Sequence, residues 1–473
     1  MIKLQGCVDQ NFVVLGLGKS GMASVGALIA SGANVICWDD DEGKRSLASS
    51  KGFQIKNTIS EFDWQSIDRI IISPGIPHHF PLPHPIIASA IAAGVLIDND
   101  VGLFFQSVAT ESWSNFSVRP KIVAVTGSNG KSTTASLLHY IFSTLGYKSQ
   151  LAGNIGRGVL DINPPSNNEI TILELSSYQI EVARTLSPDI AIFTNFSADH
   201  LERHGGLGGY LAAKRRLFAE GCPDYSIIGV DEIAGLNLAQ QLAVSLGDES
   251  VIRVANKKSI REFGWSVSYE NGQVQEYRKG RQTNSIDLTK YDNFVGRHSY
   301  QNAASAYAAC RVLGLSPRKV AEAMKGFNGL AHRSQKIAIY KGITFVNDSK
   351  ATNVESAMMS LDAHKNIRWI CGGQQKDGGL SKLNSVTQSV KRAYIIGLEA
   401  EAISRQLNCS TVICNDMKKA VEQATEEASA GDVILLAPAA SSFDQYDNFE
   451  DRGDDFISQV ERVIKISQKT NSS

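Results

Sequence analysis

Short apolar runs recur along the chain, each closing in a glycine-rich or polar turn before a stretch of helical period. The first set predicts a strand at Phe12–Leu15, a glycine turn, a helix at Met22–Ser31 and a strand at Asn34–Trp38. A further strand, Arg69–Ser73, ends in Pro74-Gly75-Ile76-Pro77. The Ser- and Thr-rich stretch 108–119 predicts a linker. Beyond it an apolar strand, Lys121–Thr126, runs into a glycine-rich turn and a helix over Ala135–Leu145, then strands at Ile170–Leu175 and Ile190–Thr194. Residues 248–292 alternate in period two around the turn signal Glu270-Asn271-Gly272, which predicts a small antiparallel insert. A helix at Tyr300–Leu313 closes at Gly314. From about Leu330 onward, strands are predicted at Thr344–Asn347, Arg368–Cys371, Arg392–Ile396 and Val433–Ala437. Strands that alternate with helices build parallel sheets, so the fold class is α/β, in three domains over 1–107, 108–329 and 330–473.

Composition narrows the class of partner. Among 473 residues, 47 Lys and Arg nearly balance 48 Asp and Glu, so no basic field points to nucleic acid or a membrane surface. Seven cysteines without a Cys-x-x-Cys pair point away from structural zinc and disulfides, and towards the reducing cytoplasm. Met1–Gln10 lacks a basic-then-apolar targeting pattern, and the longest apolar run, Ile86–Ile97, is too short to span a bilayer. A cytoplasmic protein acting on small molecules is expected.

The segment Thr126-Gly127-Ser128-Asn129-Gly130-Lys131-Ser132-Thr133 carries the strongest chemistry, because it joins a strand to a helix. Turn N–H groups and the helix N-terminus face an anion there, Lys131 adds charge, and Ser132 or Thr133 would place a hydroxyl on magnesium. Gly127 and Gly130 enclose two residues instead of the usual four before the Gly-Lys pair. Gly16-Leu17-Gly18-Lys19-Ser20-Gly21 fits a dinucleotide turn, with Asp39 about 18 residues further on. It could hold NAD or the diphosphate of another nucleotide, or be only a tight turn. Glu174, at a strand end near the loop, is a natural magnesium ligand or else a solvated acid. Asp199-His200 follows another strand end, Asn195, and alone reads as polar loop. Lys214, within Tyr210–Phe218, reads from its spacing as a solvated cation on a helix. Asn347–Asn353 can cap a helix, or offer Lys350 to an anionic substrate. Gly372-Gly373-Gln374-Gln375-Lys376 and Ser441-Ser442-Phe443-Asp444-Gln445 repeat that pattern, so three polar strand ends in one domain suggest a ligand-binding face.

The Thr126–Thr133 loop is similar to the TGTNGKST-type loop of the Mur ligase family, which also includes folylpolyglutamate synthases. Further pieces follow in the family's order: Gly153-Asn154-Ile155-Gly156, Glu174-Leu175-Ser176-Ser177, Asn195–His200, Ala213-Lys214, Gly296-Arg297-His298, His332-Arg333 and Asn347–Lys350. Within the family, Asp348–Asn353 and Ser442–Phe449 resemble the member that adds D-glutamate. The resemblance covers essentially the whole chain. It implies a Rossmann-like N-terminal domain that binds a UDP substrate, a central P-loop-type ATPase domain with a parallel sheet, and a Rossmann-like C-terminal domain that binds the amino acid. The implied enzyme is a monomer that joins D-glutamate to UDP-N-acetylmuramoyl-L-alanine through an acyl phosphate, using ATP and two Mg²⁺ ions.

The same resemblance implies residue roles. Gly127, Ser128, Asn129, Gly130, Lys131, Ser132 and Thr133 would hold ATP, with Asn302, Arg333 and Asp348 as further contacts. Ser132, Glu174, His200 and a carbamylated Lys214 would hold the metal, which reverses the solvated reading of that lysine. Lys131, His200, Lys214 and Lys350 would be catalytic. Lys350, Thr352, Lys376, Ser442 and Phe449 would form the D-glutamate pocket. Leu17, Gly18, Lys19 and Asp39 would meet the UDP group, and Gly75 and Asn154 the sugar-peptide part. Two other readings are a nicotinamide-dependent oxidoreductase using the Gly16 turn, and a nucleotide-binding regulator without ligase chemistry. The first leaves the Lys131 loop unexplained, and the crowded strand ends argue against the second.

Overall fold

The computed structural model describes residues 2–109, 113–291, 293–375 and 379–470. Its chain forms two compact units, one running to Leu288 and including Gln301–Gly326, the other holding Thr289–Tyr300 and the chain from Phe327 onward. Among the described residues, no helix is long and apolar enough to cross a membrane.

The first unit contains two sheets. One orders its strands Gln54–Ile55, Asn34–Trp38, Asn11–Leu15, Arg69–Ile72 and Leu96–Asp98, all parallel. Strand order reverses between Asn11–Leu15 and Arg69–Ile72, the point at which open parallel sheets take ligands beyond the carboxyl ends of their strands. The Gly16 turn lies there. Gly16 has φ +91°, and a side chain on Gly21 would meet the Gly16 carbonyl at 1.7 Å, so both glycines are sterically required. The following helix, Lys19–Ala30, starts three residues before the predicted Met22, because Gly18 serves as its N-cap.

The second sheet orders Arg281–Asp287, Gln273–Arg278, Trp265–Glu270, Val251–Ala255, Tyr225–Gly229, Ile190–Phe193, Lys121–Thr126, Ile170–Glu174 and Ser149–Gly153. Here the structure corrects in part the small antiparallel insert expected at 248–292. Val251–Ala255 and Trp265–Glu270 extend the parallel sheet, and only the last two pairings, Trp265–Glu270 with Gln273–Arg278 and Gln273–Arg278 with Arg281–Asp287, are antiparallel. Both hairpins are tight: Asn271-Gly272 and Lys279-Gly280 all have positive φ, as two-residue hairpin turns require. Strands Ser149–Gly153 and Tyr225–Gly229 escaped prediction. The first, an edge strand reading Ser-Gln-Leu-Ala-Gly, carries little apolar signal. Helix Lys19–Ala30 from one sheet and Val159, Leu160 and Ile162 beside the other share one continuous apolar core.

The second unit holds a sheet ordered Gln335–Tyr340, Ile343–Asn347, Val433–Leu436, Ile367–Gly372, Val390–Ile396 and Thr411–Asn415, parallel except for its first pair. Separate apolar clusters cover its faces. Trp369, Leu361 and Ile403 pack on one side, Phe345, Val421 and Phe456 on the other. Strands buried on both faces read as continuous apolar runs, which is why the central ones were legible in advance.

Asp100, at the start of helix Asp100–Ala109, has one carboxylate oxygen buried without a hydrogen-bond partner. Burial, with the Asp98 charge adding to it, pushes its carboxyl up to about 6. The folded pKa lies above the unfolded one, so stability falls as pH rises through that range. Asp100→Asn should therefore stabilise the protein more at pH 8 than at pH 5, by on the order of 1 kcal/mol, since part of the penalty is already present at pH 5. Equal melting-temperature gains at the two pH values would refute this.

Candidate active site

Helix Lys131–Thr144 begins at Lys131, four residues earlier than predicted, with Gly130 as its N-cap at φ +82°. Gly127 has φ +139°. A Cβ on Gly127 would lie 2.0 Å from Thr194 Oγ1, and one on Gly130 2.1 Å from Asn302 Oδ1. The loop is thus wedged between a strand end and the helix Gly296–Val312, with no room for side chains at those two points. Its remaining groups are tied down as well. Ser128 N donates to the Asn195 carbonyl at 2.9 Å, and Ser128 Oγ donates to the Ser197 carbonyl at 2.9 Å. Thr194 Oγ1 donates to the Asn129 carbonyl at 2.6 Å. Lys131 Nζ lies over the loop, 3.0 Å from the Gly127 carbonyl and 2.8 Å from that of Ser128. Ser132 is buried in the first helical turn beside the half-buried Thr133. This is a preformed anion cradle at a helix N-terminus.

Lys214 overturns its spacing-based reading. It is 1% exposed, its Nζ donates to the Gly127 carbonyl at 2.8 Å, and it lies 4.5 Å from the Tyr210 ring centre. Burial, reinforced by the Lys131 charge, holds its ammonium well below the ordinary lysine range. The helical pattern missed this because helix Leu207–Ala219 buries Lys214 on the same face as Tyr210 and Leu217. Glu174, also 1% exposed, accepts from Asn154 Nδ2 at 3.1 Å on one oxygen, while the other, Oε2, is buried without a hydrogen-bond partner. A buried carboxylate oxygen in that state suits a hard divalent cation, and the Ser132 hydroxyl offers a second oxygen donor. Among the described residues, no three His, Cys, Asp or Glu side chains group as a metal site. The ordinary donors here are therefore few, and phosphate oxygens or a carboxylated Lys214 would have to complete the shell. His200 takes a left-handed backbone, stands 3.4 Å from Asp199, and packs against Tyr178 with ring centres 5.2 Å apart.

The turns and the helix start after the strands of the first sheet carry Leu17, Gly18, Lys19, Asp39 and Gly75. Leu17 N donates to Asp39 Oδ2 at 2.6 Å, so that buried acid braces the glycine turn. Lys19 Nζ donates to the Gly156 carbonyl at 2.9 Å, and the Gly75 carbonyl accepts from Arg203 Nη1 at 3.0 Å. These bonds link the first sheet's turns to loops of the second.

Sequence reasoning passed over a polar chain behind the loop. Asp231 accepts from Tyr269 Oη and, at 3.5 Å, from Gln301 Nε2. Gln301 Oε1 accepts from Asn195 Nδ2 at 2.9 Å, and Asn195 Oδ1 accepts from Asn129 N at 2.9 Å. The Asp231 carboxylate can only accept, so it orients both amides along the chain. Asp231 lies two residues beyond Tyr225–Gly229, a strand that the pattern did not reveal, so nothing local marked it.

In the second unit Asp348, Lys350, Thr352, Ser442 and Phe449 come together around strand ends. Lys350 Nζ lies 3.7 Å from the Phe449 ring centre, and Thr352 N donates to the Lys350 carbonyl at 2.7 Å. Ser442 is buried. Asp348 accepts from Ser360 and Ser334 hydroxyls, and burial raises its carboxyl despite the charges of His298 and Arg333. Lys376 lies outside the described residues. Arg452, absent from the sequence-based set, is buried beneath these loops.

Comparison with known proteins follows the same division. The Mur ligase MurD-like N-terminal domain matches residues 10–98, the Mur ligase middle domain 125–310, and the Mur ligase glutamate ligase domain 332–440. The chain is 53% identical to the UDP-N-acetylmuramoylalanine–D-glutamate ligase of Ruegeria pomeroyi, covering 98% of this chain and 100% of that protein. The ligase of the same name from Roseobacter denitrificans is also 53% identical, with the same coverage. Among solved structures, UDP-N-acetylmuramate–alanine ligase MurC from Thermotoga maritima superposes with TM-score 0.59 at 17% identity, over 96% of this chain and 99% of its own. MurF from Acinetobacter baumannii gives TM-score 0.57 at 14% identity, over 96% and 92%. These two support the fold alone.

The wedged glycines yield a direct test. Gly130→Ala forces a Cβ into Asn302 at a left-handed position and should weaken nucleoside triphosphate binding by roughly tenfold or more in calorimetry. An unchanged affinity in a folded variant would show that the loop yields freely.

Proposed function

Because the chain belongs to the Mur ligase family, in its UDP-N-acetylmuramoylalanine–D-glutamate ligase branch, we propose the following division of labour among its residues. The enzyme is an ATP-dependent ligase that adds D-glutamate to UDP-N-acetylmuramoyl-L-alanine in peptidoglycan precursor synthesis. The observation that carries the assignment of roles is the buried Lys214 amine against the Gly127 carbonyl of the phosphate loop, near Glu174.

A carboxylate is a poor acylating agent until one oxygen becomes a good leaving group. The alanyl carboxylate attacks the γ-phosphorus of ATP, forming an acyl phosphate and releasing ADP. The neutral amine of D-glutamate then attacks the acyl carbon, the C–O bond to phosphate breaks, and the amine sheds a proton. Phosphoryl transfer depends mainly on positioning and charge neutralisation. The loop amides and Lys131 supply both for the triphosphate, and Asn302 buttresses Gly130. Glu174 and Ser132 would hold one Mg²⁺, with His200 and a carbamylated Lys214 at a second, and the ions would neutralise charge on the transferring phosphoryl group. Lys214 suits carbamylation because only a neutral amine adds to CO₂, and burial disfavours its ammonium form. The product, formed as the amine gives up a proton, is an anion that offers oxygen donors to the metal. Arg333 and Asp348 contact ATP, while Lys350, Thr352, Lys376, Ser442 and Phe449 hold D-glutamate. The strand-end turns at Leu17, Gly18, Lys19 and Asp39 take the UDP group, and Gly75 and Asn154 the sugar-peptide part.

Phosphate release should require UDP-N-acetylmuramoyl-L-alanine and D-glutamate together. Equal turnover with L-glutamate would sink the assignment of the amino acid. Lys131→Ala should lower kcat/KM by about a hundredfold or more, as expected for a lost charge on the transferring group. Lys214→Ala should be inactive and regain part of its rate in added formate or acetate. Full activity of that variant without additive would contradict the metal-ligand role.

A further inference from the structure

Arg452 is the structure's most anomalous charge outside the residues already given roles. It is 1% exposed, and it sits in the first turn of helix Phe449–Thr470, where a helix's own dipole disfavours a cation. Its neighbours Glu450 and Asp451 face solvent, as acids in a first turn normally do. Among the described residues no carboxylate lies within ion-pair distance of the guanidinium. Asp444 and the Tyr446 phenol are the acidic groups that bear on it, and burial depresses its pKa to about 10.

Neutral oxygens surround it instead. Nε donates to Ser349 Oγ at 3.1 Å and Nη2 to the Ser349 carbonyl at 2.9 Å. Nη1 donates to the carbonyls of Ala440 and Ser441, each at 3.2 Å. A Cβ on Gly373 would lie 3.3 Å from Nη1. Arg452 therefore touches the loops after three adjacent strands, Ile343–Asn347, Ile367–Gly372 and Val433–Leu436. Ser349 precedes Lys350, and Ser441 precedes Ser442. Burying a charge without an anionic partner is costly, and loops could be tied more cheaply by a neutral side chain.

We propose that Arg452 is a positioning residue for the acceptor amino acid: it pins the three strand-end loops and lends its buried positive charge to a pocket for a dicarboxylic substrate. This rests on the D-glutamate pocket assigned above. The bound dianion would supply, at a distance, the negative charge that the folded protein withholds. Lys350 provides the direct contact, and Arg452 sets the potential and geometry around it.

Arg452→Gln keeps hydrogen-bond donors without charge, and Arg452→Lys keeps charge without the planar fork. Steady-state kinetics of both, with D-glutamate varied at saturating ATP and UDP-N-acetylmuramoyl-L-alanine, separate the two contributions. Arg452→Gln should raise KM for D-glutamate by roughly tenfold or more, with kcat and KM for ATP within about twofold. Arg452→Lys should fall between it and the parent, and only variants that keep the charge should keep a salt-sensitive kcat/KM for D-glutamate. Equal KM values in both variants, or KM unchanged while melting temperature drops, would reduce Arg452 to a structural fastener and overturn the proposal. Failure of both variants to fold would do the same. Absence of D-glutamate turnover in the parent enzyme would instead overturn the pocket assignment itself.

Discussion

The wedging of two left-handed glycines, Gly127 and Gly130, between Thr194 and Asn302 is the constraint on which the nucleotide site depends. A loop free to move would hydrate its amides and lose its aim. Here the strand Lys121–Thr126 delivers the chain into the turn, and the helix Gly296–Val312 blocks its escape. The polar chain from Asp231 through Gln301 and Asn195 fixes the Asn129 amide inward. The loop's shape is thus a property of the whole second sheet.

Lys214 shows how that shape shapes chemistry. A lysine donating to the Gly127 carbonyl from a desolvated position cannot keep ordinary basicity. The neighbouring Lys131 charge pushes in the same direction, and Glu174 pulls against it. Burying an amine here is destabilising unless its chemistry is used, so the cost itself points to function. The same reasoning applies to Glu174 Oε2, a buried oxygen without a hydrogen bond beside a phosphate loop.

The second unit uses a different device. Its strand ends are irregular loops with left-handed residues such as Ala439, tied by backbone bonds from Ala439 to Ala351 and from Ser441 to Gln374. Arg452 gathers them from below. An interior arginine bonded only to neutral oxygens holds geometry and field together, whereas a paired one would cancel its own field.

Central strands such as Lys121–Thr126 and Ile170–Glu174 were legible in advance because burial on both faces leaves an unbroken apolar run, whereas the equally central Tyr225–Gly229, which carries Tyr, Ser and Gly among its five residues, was not. The phosphate loop was legible because its glycines answer a local backbone demand. Edge strands such as Ser149–Gly153 and Thr411–Asn415 were not, since a half-exposed strand needs little apolar sequence. Nor could spacing separate the buried Lys214 from a solvated lysine, or mark Asp231, Gln301 and Arg452. Their roles arise from partners far away in the chain: Gly127 is 87 positions from Lys214, Asn195 is 106 from Gln301, and Ser349 is 103 from Arg452. The residues themselves determined the strands, the turns and the kind of anion they cradle. Only tertiary packing decided which charges lose their water, because desolvation is set by everything that surrounds a group.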